Sequence, residues 1–267
     1  VGVDSTTGIV NPQDIADAIT PNTKLVAVTH GSNVTGTLQD IRAIGERCGE
    51  IPFLVDAAQT MGHVPIDVQA MNIDLLAFPG HKGLLGPLGT GGLIMKPGIE
   101  RILNPLRCGG TGSESEFPVQ PNSLPDKYEP GSHNMIGIAG LHAGVQWILE
   151  QGVSNLFEHE QCLCSQFIKE LQQNNDARII GPQTTEHRCG VFSLSFDEEP
   201  HGIAHLLEEV GGVQSRAGLH CAPLAHKAMG TSNIGGTVRI SIGPFHTSED
   251  ISLLVHAIAS TTQKAYA

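Results

Sequence analysis

Residues 52–59 read Pro52-Phe53-Leu54-Val55-Asp56-Ala57-Ala58-Gln59, a short apolar run that stops at a carboxylate. A run of this length without polar alternation suits a strand buried on both faces, as in a parallel sheet. The pattern returns on either side. Upstream, residues 24–29 (KLVAVT) form a second such run, and residues 41–49 between the two predict a helix. Asn11 followed by Pro12 predicts an earlier helix that runs to about residue 19. Downstream, residues 74–78 predict a third strand ending just before Gly80-His81-Lys82, and residues 91–95 a fourth. This alternation predicts an α/β fold with helices on the faces of a mostly parallel sheet. Such sheets bind ligands beyond the carboxyl ends of their strands. Asn33, Asp56 and Lys82 each follow a predicted strand end.

The remainder is patterned differently. Residues 108–130 are rich in Gly, Ser and Pro and read as a long loop. A helix over 136–150 then joins two lobes. After it come a helix over 153–173, strands at 178–180 and 190–195, a helix over 201–210, a strand at 238–242 and a helix from Ser248. This predicts a large sheet domain over 1–145 and a smaller α+β domain over 146–267. No internal repeat is apparent.

Composition bounds the function. Of 267 residues 40% are hydrophobic and 16% charged, which argues against disorder. The net charge of -12, with no local basic cluster, disfavours a nucleic-acid partner. No apolar run approaches the roughly eighteen residues a membrane span needs. Six scattered cysteines are too sparse for a disulfide scaffold, so reduced thiols in a cytoplasmic setting are expected. Cys162 and Cys164 stand two apart in a predicted helix and face different ways. The opening Val1-Gly2-Val3-Asp4 carries no Met and reads as a strand end entering a turn, which predicts preceding residues and places any targeting signal there.

Four groups of residues are suited to chemistry. A buried carboxylate at a strand end, Asp56, wants a partner, either a protonated pyridine nitrogen or the N-terminus of a helix that it caps, and Gln59 stands three residues on. Lys82, flanked by Gly80 and Gly83, is either a desolvated, nucleophilic amine or an ordinary snorkelling lysine, and His81 beside it could donate to a phosphate. The glycines of residues 86–92 (GPLGTGG) match neither common phosphate-loop spacing. In Arg216-Ala217-Gly218-Leu219-His220-Cys221, a thiol beside His and Arg is suited to activation, with Gly218 giving the loop mobility. A metal site from His220, Cys221 and His226 has poor spacing for zinc. Arg239 in an apolar strand pattern wants a planar anion or a structural ion pair.

Together, and in this order, the stretches THGSNVTGT (29–37), VDAAQT (55–60), GHKGLLGP (80–87), EPGSHN (129–134), RAGLHCAPL (216–224) and VRIS (238–241) resemble the aminotransferase class V family of fold-type I pyridoxal-phosphate (PLP) enzymes. The nearest branch is the cysteine desulfurases, with their selenocysteine lyase relatives. The resemblance spans nearly the whole chain, and the GHK lysine and the cysteine loop are its specific marks. It implies Lys82 as the Schiff-base lysine, Asp56 on the pyridine nitrogen, Gln59 on the ring hydroxyl and His81 on the phosphate. It implies Asn33, Arg239 and, more weakly, Arg216 on the substrate carboxylate, and Cys221 as the nucleophile that takes the sulfur. Ser132 would reach the cofactor phosphate of a neighbouring subunit, which implies a homodimer.

The implied reaction converts L-cysteine to L-alanine with a persulfide on Cys221, whose sulfur passes to an acceptor protein. A selenocysteine lyase, a plain class V aminotransferase and a non-catalytic homologue share much of this pattern. Two departures stand out. Pro79 replaces a common Ser, and the family's phosphate-cradling turn and ring-stacking His are expected before Val1. Residues 1–267 alone would then form an incomplete cofactor pocket with weak activity at most.

Overall fold

The run at 52–55 is a strand because its neighbours bury it. In the computed structural model, which describes residues 1–114, 116–174 and 176–265, a first sheet carries β1 (Val26–Thr29), β2 (Phe53–Asp56), β3 (Leu75–Pro79) and β4 (Gly91–Met95) in that spatial order. β1, β2 and β3 are parallel, and β4 returns antiparallel to β3. The register sets Thr29 opposite Asp56 and Asp56 opposite Ala77. The carboxyl ends of three strands are therefore level, and whatever follows each strand shares one edge.

The helices between strands are specified locally. Asn11 caps α1 (Pro12–Ala18) by accepting the Gln13 N–H, and Asp40 caps α2 (Ile41–Cys48) by accepting the Ala43 N–H. Each such cap is worth about 1 kcal/mol. α2 turns Ile41, Ile44 and Cys48 onto Phe53, Val55 and Leu76, and Ile15 of α1 joins this core. Gly45 permits the close approach, since a Cβ there would lie 2.3 Å from the Met71 carbonyl oxygen. The long loop over 108–130 contains no helix or strand among its described residues.

α3 (Met135–Gln151) and α4 (Val153–Asn174) then lead to a second sheet. Its strands, β5 (Arg178–Ile180), β6 (Val191–Ser195), β7 (Arg216–Gly218) and β8 (Thr237–Ser241), lie in the order β5-β6-β8-β7 and are all antiparallel. With α4, α5 (Pro200–Gly211) and α7 (Ser248–Ala265) the sheet shares one core that includes Phe167, Phe192, Leu194, Leu207, Val238 and Ile258. Phe167 meets Phe192 edge-on at 4.8 Å between ring centroids. Cys164 points into this core while Cys162 faces outward, as their spacing requires.

Two elements depart from expectation. The segment around Arg216, read as a loop loosened by Gly218, is strand β7; Gly218 pairs with Thr237 and adopts φ 103°. Its glycine serves that backbone shape rather than mobility. The strand has no apolar periodicity of its own and exists because β8 offers an edge. A short helix, α6 (Pro223–Ala228), follows the cysteine and starts at a proline.

The halves meet along the segment after β1. Leu38 N–H donates to the His187 carbonyl at 2.7 Å and Cys189 N–H to the Gly36 carbonyl at 2.8 Å. Gly36 has φ 70°, and a Cβ there would come within 2.1 Å of the Val191 carbonyl oxygen. Beside it Arg188 is fully buried, donating to the carbonyls of Pro182 and Val191 and stacking 4.3 Å from the Phe192 ring centroid. Burial lowers its guanidinium pKa to about 10, so it stays charged at neutral pH. No helix among the described residues is long and apolar enough to cross a membrane.

Candidate active site

The level strand ends gather the first set of expected residues. Asp56 closes β2, half-buried, with one carboxylate oxygen accepting the Ala58 N–H at 2.9 Å. Its second oxygen carries no hydrogen bond among the described residues, so an N–H donor can still be accepted there. Gln59 lies in the turn that follows. His81 and Lys82 follow β3, in a turn closed by Leu85 N–H to the Lys82 carbonyl and Gly86 N–H to the Gly80 carbonyl. Gln59 and Lys82 open on one cleft of about 230 Å³, which Ser241 and Glu160 reach from the other half of the chain. Lys82 and His81 are exposed, so the described residues alone do not bury the Lys82 amine.

The second set centres on Cys221. His220 and Cys221 have φ 51° and 61°, two successive non-glycine residues in the left-handed region. Each costs about 1–3 kcal/mol and persists only where the surroundings over-determine it. The restraints are visible. The His220 carbonyl accepts from Asn33 Nδ2 at 2.8 Å, and His220 Nε2 meets Thr237 Oγ1 at 3.1 Å, which donates to Ser193 Oγ at 2.9 Å. The His220 ring is thus turned into the protein, away from the thiol it precedes. Burial first, then the charges of Arg239, His226 and Arg216, lower its pKa to about 4. It is neutral at pH 7.

The thiol faces a cation instead. Arg216 Nη2 lies 3.4 Å from Cys221 Sγ, and both residues are exposed. Arg239 is half-buried beside them and donates to the Asn33 carbonyl at 3.1 Å. Burial, reinforced by the like charge of Arg216, holds the Arg239 guanidinium below its ordinary pKa. Asn33, Arg216, Arg239 and Cys221 are therefore brought together from both halves. Ser132 is not among them: it is exposed in the segment before α3, and no hydrogen bond or ion pair among the described residues joins it to this group.

Three further histidines are buried or half-buried, of which His30 and His63 carry no signal in the sequence and His226 stands there only as a poorly spaced zinc ligand. His30 is buried, its Nδ1 without a hydrogen-bond partner among the described residues, and burial, helped by the charge of nearby His63, lowers its pKa to about 4. His63 and Glu160 pair across the two halves at 2.9 Å. His226 is buried against Thr231, its rim 5.4 Å from His220 between ring centroids. No cluster of three or more His, Cys, Asp or Glu among the described residues is placed to hold a metal ion.

This chain belongs to the aminotransferase class-V family, whose profile matches residues 4–254. It is 37% identical over 255 residues to a probable cysteine desulfurase of Methanothermobacter thermautotrophicus, covering 92% of this chain and 62% of that protein. Its fold is that of solved cysteine desulfurases. A structure described as an apo cysteine desulfurase from Thermococcus onnurineus superposes with a TM-score of 0.87 at 29% identity, covering 99% of this chain and 65% of that one. A cysteine desulfurase from Escherichia coli gives 0.81 at 28% identity, with 95% and 63% covered. The chain spans about three-fifths of the length of the curated relatives it matches.

Proposed function

We propose that this protein is a PLP-dependent cysteine desulfurase, converting L-cysteine to L-alanine and taking the sulfur onto Cys221. The observation that carries the reading is the Cys221 thiol held 3.4 Å from Arg216, with Arg239 and Asn33 beside it. A thiolate is favoured next to a cation, and two guanidinium groups without an acid between them suit a carboxylate substrate. A plain aminotransferase would leave this strained, exposed thiol without a task.

The residues fit the cofactor by the chemistry of their donors. Asp56 offers a free carboxylate oxygen for a pyridinium N–H, Gln59 an amide for a ring hydroxyl, Lys82 a primary amine for the aldehyde and His81 a donor for phosphate. When bound, PLP supplies an electron sink that weakens the bonds at the substrate Cα and Cβ. Asp56 holds the ring nitrogen's proton. Lys82 Nζ accepts the substrate Cα proton. Arg239, with Arg216 and Asn33, orients the substrate carboxylate. Cys221 Sγ forms the new S–S bond as the substrate's Cβ–S bond breaks. The balance is an enzyme thiol plus L-cysteine giving an enzyme persulfide plus L-alanine, with no outside oxidant or reductant.

The same reading divides the chain into a cofactor domain over 1–145 and a smaller domain over 146–267, the boundary falling inside α3 so that a helix joins them. It implies a homodimer in which Ser132 serves the neighbouring subunit. Exposed Leu106, Phe117, Met135 and Ile136 in and beside the loop before α3 are consistent with such a face. An acceptor protein would discharge the persulfide at the exposed Cys221, and a reducing, cytoplasmic setting keeps that thiol available.

The test uses the full-length enzyme supplied with PLP and L-cysteine. Cys221→Ser is expected to retain the visible absorbance of bound cofactor and to lose persulfide labelling, while Lys82→Ala loses that absorbance. Sulfide release from Cys221→Ser at the parent rate would overturn the assignment.

A further inference from the structure

The cleft beside Lys82 holds an ion pair that the proposed reaction does not use. His63 Nδ1 lies 2.9 Å from Glu160 Oε2, and His63 Nε2 lies 2.9 Å from the Gln59 carbonyl oxygen. A carbonyl oxygen cannot donate. The carboxylate also acts as an acceptor, since its other oxygen takes the Gly190 N–H at 3.0 Å. Nε2 therefore spends its N–H on Gln59, while Nδ1 lies within ion-pair distance of Glu160 but without hydrogen-bond alignment. A carboxylate charge 2.9 Å from the ring favours the imidazolium.

The neighbours agree. Burial pulls the His63 pKa down, but the adjacent Glu160 carboxylate and the Gln59 carbonyl outweigh it, and the pKa lies above its ordinary value. The titratable groups around the ring are Glu160 from α4, His30 from the segment after β1 and Lys82 from the segment after β3. Behind Glu160 stand Cys164, Cys189 and the cationic Arg188. Buried His30 gives up its proton next to His63. One positive charge is kept at His63 and balanced by one carboxylate.

Position gives the pair its consequence. The turn over 61–63 packs directly on the residue after Lys82: a Cβ on Gly83 would meet the Met61 carbonyl at 2.4 Å and His63 Cδ2 at 2.7 Å. Glu160, almost wholly buried, is anchored to Gly190, whose carbonyl accepts the Ile242 N–H just beyond β8. β8 carries Arg239. A continuous chain of contacts therefore runs from Lys82 through Gly83, His63, Glu160 and Gly190 to the sheet that positions Arg239 and Cys221.

We propose that His63, held as an imidazolium by Glu160, is a positioning residue that ties the Lys82 turn to the second sheet and keeps amine and thiol in register. The role assigned to it in catalysis rests on the desulfurase reading; its charge state and its hold on the turn do not.

The test has one arm that needs no variant. In full-length enzyme labelled with ¹⁵N-histidine, His63 is expected to lose its second ring proton at a pH above the ordinary histidine midpoint of about 6.5. A midpoint at or below that value overturns the proposal. In Glu160→Gln, hydrogen exchange across residues 80–86 is expected to quicken at least tenfold, with kcat for L-cysteine down about tenfold and KM within about twofold, because a small misplacement of a reacting group is felt in turnover. Glu160→Asp, which keeps the charge, is expected to restore most of kcat and to return exchange across residues 80–86 toward the parent's. Unchanged exchange in Glu160→Gln, or equal loss in Gln and Asp variants, overturns the proposal. If wild-type enzyme yields no alanine while the ring protonation and exchange results hold, the desulfurase reading fails and the anchoring of the turn stands.

Discussion

Arg216 on β7 and Arg239 on β8 stand directly opposite each other in the antiparallel register, and among the described residues neither forms an ion pair with a carboxylate. Like charges across a strand pair are destabilising. The pairing is tolerable where an anion visits, and Cys221 Sγ, 3.4 Å from Arg216, is the nearest group able to become one. Arg216→Gln is therefore expected to slow alkylation of Cys221 by iodoacetate, an anionic reagent that the guanidinium attracts, several-fold more than alkylation by neutral iodoacetamide. Fold stability should change by less than about 0.5 kcal/mol, because Arg216 is exposed.

Strain at the nucleophile makes a second expectation. Cys221 adopts φ 61°, where glycine has no Cβ penalty. Cys221→Gly should raise unfolding stability by about 0.5–1 kcal/mol in urea titrations, the relieved strain less the entropy glycine loses on folding, while abolishing persulfide formation. A destabilised glycine variant would show that the left-handed backbone is not strained.

Gly36 predicts the opposite sign. With φ 70° and a Cβ position 2.1 Å from the Val191 carbonyl, Gly36→Ala must push apart the seam between the halves. The expected loss exceeds about 2 kcal/mol, read from the urea midpoint at constant m. Phe192→Ala, which empties the second core and uncovers the Arg188 guanidinium, should cost about 3–5 kcal/mol.

The His63–Glu160 pair makes stability depend on pH. His63 has a folded pKa raised above its unfolded value, so the stabilisation is complete below the unfolded pKa, about 6.5, and is lost as pH rises through the folded pKa. The stability gap between wild type and Glu160→Gln is thus expected to be widest near pH 6, at no more than about 1.5–3 kcal/mol, and to shrink at alkaline pH. Urea unfolding across that range checks it. A gap that widens with pH would reverse the assignment of the proton.

Some of the site was legible before any coordinates. Asp56, Gln59, His81 and Lys82 stand close to strand ends in the chain, so their shared edge follows from a βαβ reading of residues 24–82. Glu160 and His63 were not legible, because a helix position gives no sign of what lies across a domain seam. The Arg216–Arg239 opposition was hidden for a similar reason: β7 is three residues long and takes its register from β8. His220 was read as a neighbour of the thiol, whereas its φ of 51° turns the ring toward Thr237.

By itself the amino-acid order determined most helices and strands (though not β7 or α6), the start of α1 at Asn11, and that three strand ends would share an edge. Those outcomes depend on apolar period and cap chemistry, which act over a few residues. Tertiary structure alone decided that Cys221 faces Arg216 rather than His220, and that a buried acid on α4 charges His63. Those outcomes depend on which distant surfaces exclude water together, and no local pattern records that.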